Sequence, residues 1–290
     1  LHKIDEQDAN RISSDFYLND NLKNKKNITR IDWEKSTGIH FSGLVLEKIF
    51  NLIGYKKYYL EHKSLQSVSI IMPCLNEART INKVLQNVTD LQEKQSFFTY
   101  ELIIVDGGSK DKSLNIAKKY KNIKIYSLKN KQRGECLDLG IKKAKGEIIV
   151  IFPTDNEYDA RDIPLLVNEV REKRNKVVYG SRLIKNINPS NYIKKVYGKN
   201  LLLYFLSKFG GMSISIFTLL FFNRFLSDPL TTFKCFNSDT IKLIDIKSRG
   251  VEYDLEQFAK LSEMKIYVDE YPVRFIARSY KQGKKTREYY

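Results

Sequence analysis

Histidine is scarce in this chain of 290 residues, and its placement excludes several kinds of catalytic site. The three histidines, His2, His40 and His62, all lie within the first 62 residues. The rest of the chain therefore cannot contain a self-sufficient Ser-His-Asp triad, a zinc site built from histidines, or an H-E-x-x-H helix. Many classes of hydrolase are excluded by this absence.

Cysteine is equally rare, and Cys74, Cys136 and Cys235 lie far apart in the sequence. An odd number of cysteines without C-x-x-C spacing is typical of neither a zinc ribbon nor a redox pair. We expect core thiols in a reducing, cytoplasmic environment. No signal peptide opens the sequence, and the lack of an initiator methionine suggests that it starts within a longer chain.

Basic residues, by contrast, are abundant. The 50 lysines and arginines exceed the 34 aspartates and glutamates and leave a net charge of +16. Such an excess favours a partner that carries phosphate, whether nucleic acid, a nucleotide or an anionic lipid. Hydrophobic residues make up 42% of the chain, which is enough for a large core, so we do not expect a disordered protein.

The character of the sequence changes near residue 66. Residues 1–66 are largely polar except for an amphipathic stretch at Leu44–Leu60, so we expect an N-terminal appendage that is partly helical. From Ser67 onward, short apolar runs alternate with helical patterns, which predicts an α/β fold whose mostly parallel sheet is covered on both faces. The predicted strands are Val68–Pro73, Leu102–Asp106, Ile123–Tyr126, Ile148–Phe152 and Val177–Tyr179.

A strongly apolar segment at residues 192–226 interrupts this alternation. Within it, Phe209–Asn223 carries no charged residue. These 15 residues, interrupted by Gly210 and Gly211, are too few for a bilayer-spanning helix, which needs about 20. Because lysines and arginines flank the segment, we predict two helices that lie in the membrane interface. A buried helical hairpin or a dimer interface is the alternative.

Carboxylates follow the first, second and fourth predicted strands. Each group alone has a simple structural explanation as a helix cap, a turn or a solvated loop. Together, at the sheet edge where α/β proteins bind ligands, they would repel one another unless a base, a ribose or a cation separated them. The sequence therefore predicts a site for a nucleotide and a metal. The residues concerned are Asn76, Glu77, Asp106, Asp155 and Glu157.

Eight ordered segments carry a family resemblance, and they are Ser69–Glu77, Ile104–Asp111, Arg133-Gly134 with Gly140 and Ala144–Gly146, Phe152–Glu157, Gly180–Arg182, Ser227–Lys234, Glu252–Glu256, and Tyr271–Phe275 with Arg278 and Gly283-Lys284. The chain from residue 67 to its end resembles the family 2 glycosyltransferases, which have the GT-A fold. The likeness is closest to the branch that loads sugars onto polyprenyl phosphates, such as dolichyl-phosphate mannosyl- and glucosyltransferases.

The resemblance implies a role for each matching position on the donor side. Pro73, Asn76, Glu77 and Asp106 would line the pocket for the base and ribose, with Asp106 accepting hydrogen bonds from the base. Arg133, beside Gly134, would approach the diphosphate or the sugar. Asp155 and Glu157 would hold Mg²⁺ or Mn²⁺ against the diphosphate, because such hard cations prefer oxygen ligands.

Two motifs depart from the family pattern. The usual Asp-x-Asp after the fourth strand reads Pro153-Thr154-Asp155 here, so the first carboxylate is missing. The usual Asp-Asp-Gly-Ser after the second strand reads Asp106-Gly107-Gly108-Ser109. These departures bear on metal affinity and on the identity of the donor more than on the fold.

The residues needed on the acceptor side depend on whether the acceptor must lose a proton during the reaction. A sugar hydroxyl needs a general base, whereas a lipid phosphate is already ionised at neutral pH and needs cations to position it. The resemblance implies Asp254 as the base for a hydroxyl acceptor; for a phosphate acceptor, Asp254 would orient Arg278 or the donor sugar. The basic residues that match the polyprenyl-phosphate branch are Lys234, Arg278 and Lys284, together with Arg182.

Other protein classes fit the sequence less well. A sugar nucleotidyltransferase or a dinucleotide-binding enzyme would have a glycine-rich loop where Pro73 to Glu77 stand. A nucleic-acid-binding protein would lack the carboxylate cluster. The resemblance thus implies an inverting glycosyltransferase that moves a sugar from a nucleoside diphosphate sugar to a polyprenyl phosphate at the cytoplasmic face of a membrane. Transfer to a hydroxyl of a lipid-linked or surface glycan is the alternative.

Overall fold

A computed structural model describes residues 66–94, 98–172, 176–184, 213–250 and 252–278. The predicted appendage, apart from its last residue, lies outside these ranges. So do Lys284 and the first of the two predicted interfacial helices. The fold described below is that of the region that matches the family motifs.

Seven strands form one sheet in the order β3-β2-β1-β4-β6-β5-β7. Strands β1 to β4 pair with one another in parallel, and the five predicted strands are all present. The largest change in a boundary is at β2, which begins four residues before its predicted start. The strands are β1 Gln66–Cys74, β2 Phe98–Asp106, β3 Ile123–Ser127, β4 Ile148–Ile151, β5 Val177–Ser181, β6 Lys234–Asn237 and β7 Val268–Pro272.

Strands β6 and β7 were not predicted. Strand β6 has four residues, begins with a charged one, and runs antiparallel to both of its neighbours, β4 and β5. Strand β7 is parallel to β5 and is half-buried at the sheet edge. Neither therefore shows the long β-branched run of a central parallel strand. The prediction of a mostly parallel sheet is confirmed, with one antiparallel strand inserted.

Helices cover the sheet, and the side chains of β4 are buried on both faces. One large cluster joins Ile71 of β1 and Ile103 of β2 to Leu137, Phe258 and Leu261 on two of these helices. The helices are α1 Ile81–Lys94, α2 Ser113–Ala117, α3 Arg133–Lys143, α4 Ile163–Glu172, α5 at residues 213–222, α6 Ser238–Lys242 and α7 Glu252–Glu263. The three cysteines are free and buried, as predicted.

Close packing of α3 on β1 depends on Gly140. A Cβ atom at this position would lie 2.4 Å from Cγ2 of Ile71. We expect Gly140→Ala to lower the free energy of unfolding by about 1–3 kcal/mol, because the added methyl group overpacks the interface. Urea denaturation measures the change. The exposed Lys142→Ala on the same helix is the control and should change stability by less than about 0.5 kcal/mol; equal midpoints for the two variants would contradict this packing.

Candidate active site

A cavity of about 310 Å³ opens where β1, β2 and β4 end. In the strand register, Cys74 lies opposite Asp106, and Ile71 lies opposite Ile151. The loops after these three strands therefore meet at one edge, as the sequence predicts. The cavity is lined by Pro73, Cys74, Leu75, Glu77, Gly107, Lys131, Arg133, Cys136, Pro153, Thr154, Asp155, Glu157, Leu230, Thr232, Gly250, Asp254 and Arg278.

Each of these three loops turns through a residue in the left-handed backbone region. Asn76, Gly108 and Asn156 have φ angles of 51°, 104° and 58°. Glycine and asparagine are the residues that adopt this conformation at least cost. The asparagines and the glycine of the sequence motifs thus explain how each strand ends sharply and leaves its carboxylates at the sheet edge.

Hydrogen bonds join the first two loops. The Asn76 amide oxygen accepts from the Lys110 backbone N–H at 2.7 Å, and the Asn76 N–H donates to the Ser109 hydroxyl at 2.8 Å. The carboxylate of Asp106 accepts from the backbone N–H groups of Gly108 and Ser109. Asp106 is buried under this turn and does not line the cavity, and neither does Asn76.

Thr154, which stands beside the missing carboxylate position, joins the loop after β1 to the loop after β4. Its hydroxyl donates to the Pro73 carbonyl at 3.0 Å, and its own carbonyl accepts from the Thr80 hydroxyl at 2.9 Å. The Thr80 hydroxyl also lies 2.9 Å from the Glu77 carboxylate. These bonds fix the position of Asp155, the next residue, relative to Glu77.

Three carboxylates surround one guanidinium at the cavity wall. Arg278 donates to both carboxylate oxygens of Glu77, at 2.8 and 3.3 Å. Its guanidinium lies 4.0 Å from Asp155 Oδ2 and 3.8 Å from Glu157 Oε1. Its backbone N–H donates to the same Glu157 oxygen at 2.8 Å. Among the described residues of this cluster, three carboxylates therefore face one guanidinium.

Asp155 responds to this imbalance. Burial, followed by the negative charge of Glu157, raises the pKa of the Asp155 carboxyl to about 6, although the nearby Arg278 opposes the shift. A carboxylate whose charge is incompletely compensated attracts a cation. The side chain retains 24% of its exposure, so a ligand in the cavity can reach it.

Asp254, which also lines the cavity, is held between two cations. It accepts from Arg133 Nη1 at 2.8 Å and from the Lys234 ammonium at 2.6 Å. Lys234 is fully buried and also donates to Gln257 Oε1 at 2.9 Å. Burial alone would raise the pKa of Asp254, but the charges of Arg133 and Lys234 outweigh burial and lower it. Asp254 is therefore a weaker base than an ordinary aspartate.

The structure separates the predicted site residues into those that line the cavity and those that do not. Of the predicted basic residues, Arg133 and Arg278 line it, whereas Lys234 lies behind Asp254. Arg182 also has an internal partner, since its guanidinium donates to both carboxylate oxygens of Asp228 at 2.6 Å. The predicted residues that line the cavity are Pro73, Glu77, Arg133, Asp155, Glu157, Asp254 and Arg278.

Gly134 has a role in backbone packing rather than in ligand binding. Its N–H donates to the Arg249 carbonyl at 2.9 Å, and a Cβ there would lie 2.8 Å from that oxygen and from Tyr253. The glycine thus lets the start of α3, which carries Arg133, pack against the start of α7, which carries Asp254. This contact brings the two charged residues together.

Sequence reasoning missed several of the lining residues. Lys131 lies within the basic run before Arg133, and Gly250 lies two residues before the start of α7. Leu230 and Thr232 belong to the motif that ends at Lys234, so the motif itself was the available signal. Their side-chain types alone would not have distinguished them from surface loop residues.

Comparison with protein families identifies the chain. Residues 69–230 match the family described as glycosyl transferase family 2. The chain belongs to glycosyl transferase family 2. The matched range contains most of the first strand, all of the second and fourth strands, and the loops that follow them, so it includes the carboxylates Glu77, Asp155 and Glu157.

The relatives of this family 2 glycosyltransferase include several whose names mention dolichyl phosphate. A dolichyl-phosphate beta-glucosyltransferase of Trichomonas vaginalis is 27% identical over 190 residues, which are 61% of this chain and 55% of that protein. The UDP-N-acetylglucosamine–dolichyl-phosphate N-acetylglucosaminyltransferase of Methanococcus voltae is 25% identical over 241 residues, 76% of this chain and 89% of the relative. The chain thus spans about half of the first relative and most of the second.

Solved structures confirm the GT-A fold. Glucosyl-3-phosphoglycerate synthase from Mycobacterium tuberculosis, crystallised with Mn²⁺, UDP and phosphoglyceric acid, superposes with a TM-score of 0.53. The alignment covers 75% of this chain and 73% of that one at 14% sequence identity. At this identity the likeness shows the fold alone.

Helix α5 has an unusual distribution of exposure. Its polar residues Ser215 and Thr218 are buried, whereas Leu220 and Phe221 are 74% and 69% exposed. Phe225, just after the helix, is exposed as well. Among the described residues, no helix is long and apolar enough to cross a membrane. The predicted apolar segment is thus helical over residues 213–222, with an apolar outer face.

Proposed function

We propose that this chain transfers a sugar, with inversion, from a nucleoside diphosphate sugar to a polyprenyl phosphate at the cytoplasmic face of a membrane. The observation that carries the proposal is the cavity itself. The carboxylates Glu77, Asp155 and Glu157 and the Arg133–Asp254 pair all line it, at the ligand-binding edge of a family 2 fold. The relatives named for dolichyl phosphate support the acceptor class.

The donor diphosphate would bind beside Arg133. One of its guanidinium nitrogens, Nη2, is buried and has no hydrogen-bond partner among the described residues. A buried donor without an acceptor is costly unless a ligand supplies one. The oxygens of a diphosphate would satisfy it. Pro73, Asn76, Glu77 and Asp106 would form or support the part of the pocket that takes the base and ribose.

Asp155 and Glu157 fit a divalent cation. In the described ranges, no three His, Cys, Asp or Glu side chains converge on a point where they could hold a metal ion. Mg²⁺, however, is usually bound through one or two carboxylates and substrate phosphates rather than by an all-protein cage. When bound, Mg²⁺ or Mn²⁺ would offset the charge that develops on the departing nucleoside diphosphate.

The pKa of Asp155 gives this assignment a pH dependence. Because its pKa is about 6, the carboxylate is lost as the pH falls from 7 to 5, and with it the cation affinity. Without a cation, the raised pKa of Asp155 means that the folded protein loses stability as the pH rises from about 4 to 6. A bound cation offsets this loss of stability. We expect the rise in Tm caused by Mn²⁺ to be larger at pH 7 than at pH 5, and to be absent in Asp155→Asn. An equal rise at both pH values would contradict the assignment.

A phosphate acceptor fits Asp254 better than a hydroxyl does. Arg133 and Lys234 lower the pKa of Asp254, which weakens it as a general base. A polyprenyl phosphate needs no base, because its oxygen is already ionised at neutral pH. Asp254 would then position Arg133 rather than accept a proton. A glycan hydroxyl remains the second candidate acceptor, since Asp254 does line the cavity.

The apolar face of α5 fits a membrane surface. Exposed phenylalanine and leucine side chains next to a basic residue, Arg224, are typical of helices that lie in the interface. We propose that this face contacts the bilayer from which the acceptor is drawn. Flotation with anionic vesicles should recover the wild type in the lipid fraction and lose most of a Leu220→Gln/Phe221→Gln variant. Equal flotation would reject this contact.

A panel of nucleoside diphosphate sugars tests the proposed function. Each donor is incubated with the protein and Mn²⁺, with and without a short-chain polyprenyl phosphate, and the products are measured by mass spectrometry. We expect at least one donor to give a polyprenyl phosphate sugar. Product formed only on an added glycan acceptor would favour the second candidate, and no transfer with any donor would contradict both.

A further inference from the structure

Arg278 occupies a place in the carboxylate cluster that the acceptor-binding role implied by the resemblance does not explain. It contacts Glu77 directly, and it lies within 4.0 Å of Asp155 and Glu157. Its side chain is 14% exposed, and Glu77 is 4% exposed. The guanidinium is therefore fixed among the same carboxylates that fit a divalent cation.

The backbone around Arg278 is tied to the same loop. Its own N–H donates to Glu157, and the Ile276 N–H donates to the Glu157 carbonyl at 2.8 Å. Phe275 forms an isolated β-bridge with Tyr158, and their rings lie 4.9 Å apart. The segment before Arg278 thus follows any movement of the loop that carries Asp155 and Glu157.

We infer that Arg278 is the resident counter-ion of this cluster and competes with the divalent cation for Asp155 and Glu157. The inference rests on the proposed function, because it takes the cation site from there. Arg278 would keep the three carboxylates together while no cation is bound and would lower the cation affinity of the nucleotide-free protein. The donor diphosphate, which brings its own negative charge, would restore that affinity.

One feature of Arg278 indicates that its guanidinium is incompletely paired. Its Nε is buried and has no hydrogen-bond partner in the described part of the chain, since Glu157 Oε1 is 3.8 Å away. A buried N–H group without an acceptor can gain a hydrogen bond when the guanidinium rotates. The geometry thus permits Arg278 to leave Asp155 while it retains Glu77, which it holds through two shorter contacts.

Mn²⁺ binding without nucleotide tests the inference, with free Mn²⁺ measured by electron paramagnetic resonance. Arg278→Gln removes a positive charge about 4 Å from two of the carboxylates, so we expect Mn²⁺ to bind at least about fivefold more tightly. Arg278→Lys retains the charge and should stay within about threefold of the wild type. Arg161→Gln, an exposed arginine in the loop after β4, is the control and should bind like the wild type.

The outcomes separate this inference from the proposed function. Unchanged or weaker binding in a folded Arg278→Gln variant would overturn the counter-ion role while leaving the cation site in place. Equal tightening in Arg278→Lys would also overturn it, because charge would not be the cause. Equal binding by the wild type and Asp155→Asn would reject the cation site itself, and the role of Arg278 with it.

A second measurement needs no variant of Arg278. In the wild type, Mg²⁺ should shift the ¹⁵Nε resonance of Arg278, because the guanidinium loses its contact with Asp155. The Asp155→Asn protein should show no such shift. A resonance that stays unchanged while Mg²⁺ binds to the wild type would contradict the competition.

Discussion

Replacing Asp155 with asparagine is expected to lower the rate of sugar transfer by about 10²- to 10³-fold, a loss typical of removing one group that stabilises transition-state charge. The change keeps the shape of the side chain but removes the negative charge that would hold the divalent cation against the diphosphate. Initial rates with the accepted donor and polyprenyl phosphate, at saturating Mn²⁺, measure the effect.

Asp159→Asn is the matched control for this prediction. Asp159 lies four residues further along the same loop, and its side chain has the same exposed fraction, 24%. It pairs with Arg161 and does not line the cavity. We expect the control to retain most of the wild-type rate. A comparable loss in both variants would point to a damaged loop instead of a lost cation ligand.

The largest effect on stability is expected at Asp254. Asp254→Asn would leave the ammonium of Lys234 fully buried without its carboxylate partner, which costs about 3–5 kcal/mol when a buried pair is broken. Guanidinium chloride denaturation measures this loss. The double variant Lys234→Met/Asp254→Asn removes both members of the pair, and we expect it to recover part of the stability that the single change loses.

An exposed ion pair provides the comparison for Asp254. Lys124 pairs with Glu101, and its side chain is 48% exposed. Lys124→Gln should therefore shift the denaturation midpoint only slightly, because exposed ion pairs contribute little to stability. The Lys234–Asp254 pair would not have this structural role if Asp254→Asn lowered stability no more than Lys124→Gln does. It would also lose this role if the double variant lost more stability than the two single variants lose in sum.

The loops after β1, β2 and β4 show why much of the site could be predicted from the sequence. Strand β4 is a continuous apolar run, β1 contains the apolar stretch Ile70–Met72, and the asparagine and glycine residues that follow the three strands mark where each one turns. Strand ends in a parallel sheet meet at one edge, so the order of strands and motifs along the chain is enough to place the carboxylates together. Glu77, Asp155 and Glu157 do lie together.

The partners of the basic residues could not be predicted in the same way. Lys234 meets Asp254, which lies 20 residues away in sequence, and Arg182 meets Asp228 across 46 residues. Sequence spacing does not indicate which charges pair inside a fold. Strand β6, which begins at Lys234, was also missed because four residues with a leading charge do not show a strand pattern. Contact of Lys234 or Arg182 with an acceptor would require these internal pairs to open.

The central claim, transfer to a polyprenyl phosphate, is tested most directly by comparing two acceptors that differ in one group. The protein, Mn²⁺ and the accepted nucleoside diphosphate sugar are incubated with a polyprenyl phosphate or with the corresponding polyprenol, and the lipid products are measured by mass spectrometry. We predict a polyprenyl phosphate sugar from the first acceptor and no glycosylated lipid from the second. Glycosylation of the polyprenol, or equal donor consumption with neither lipid modified, would contradict the account.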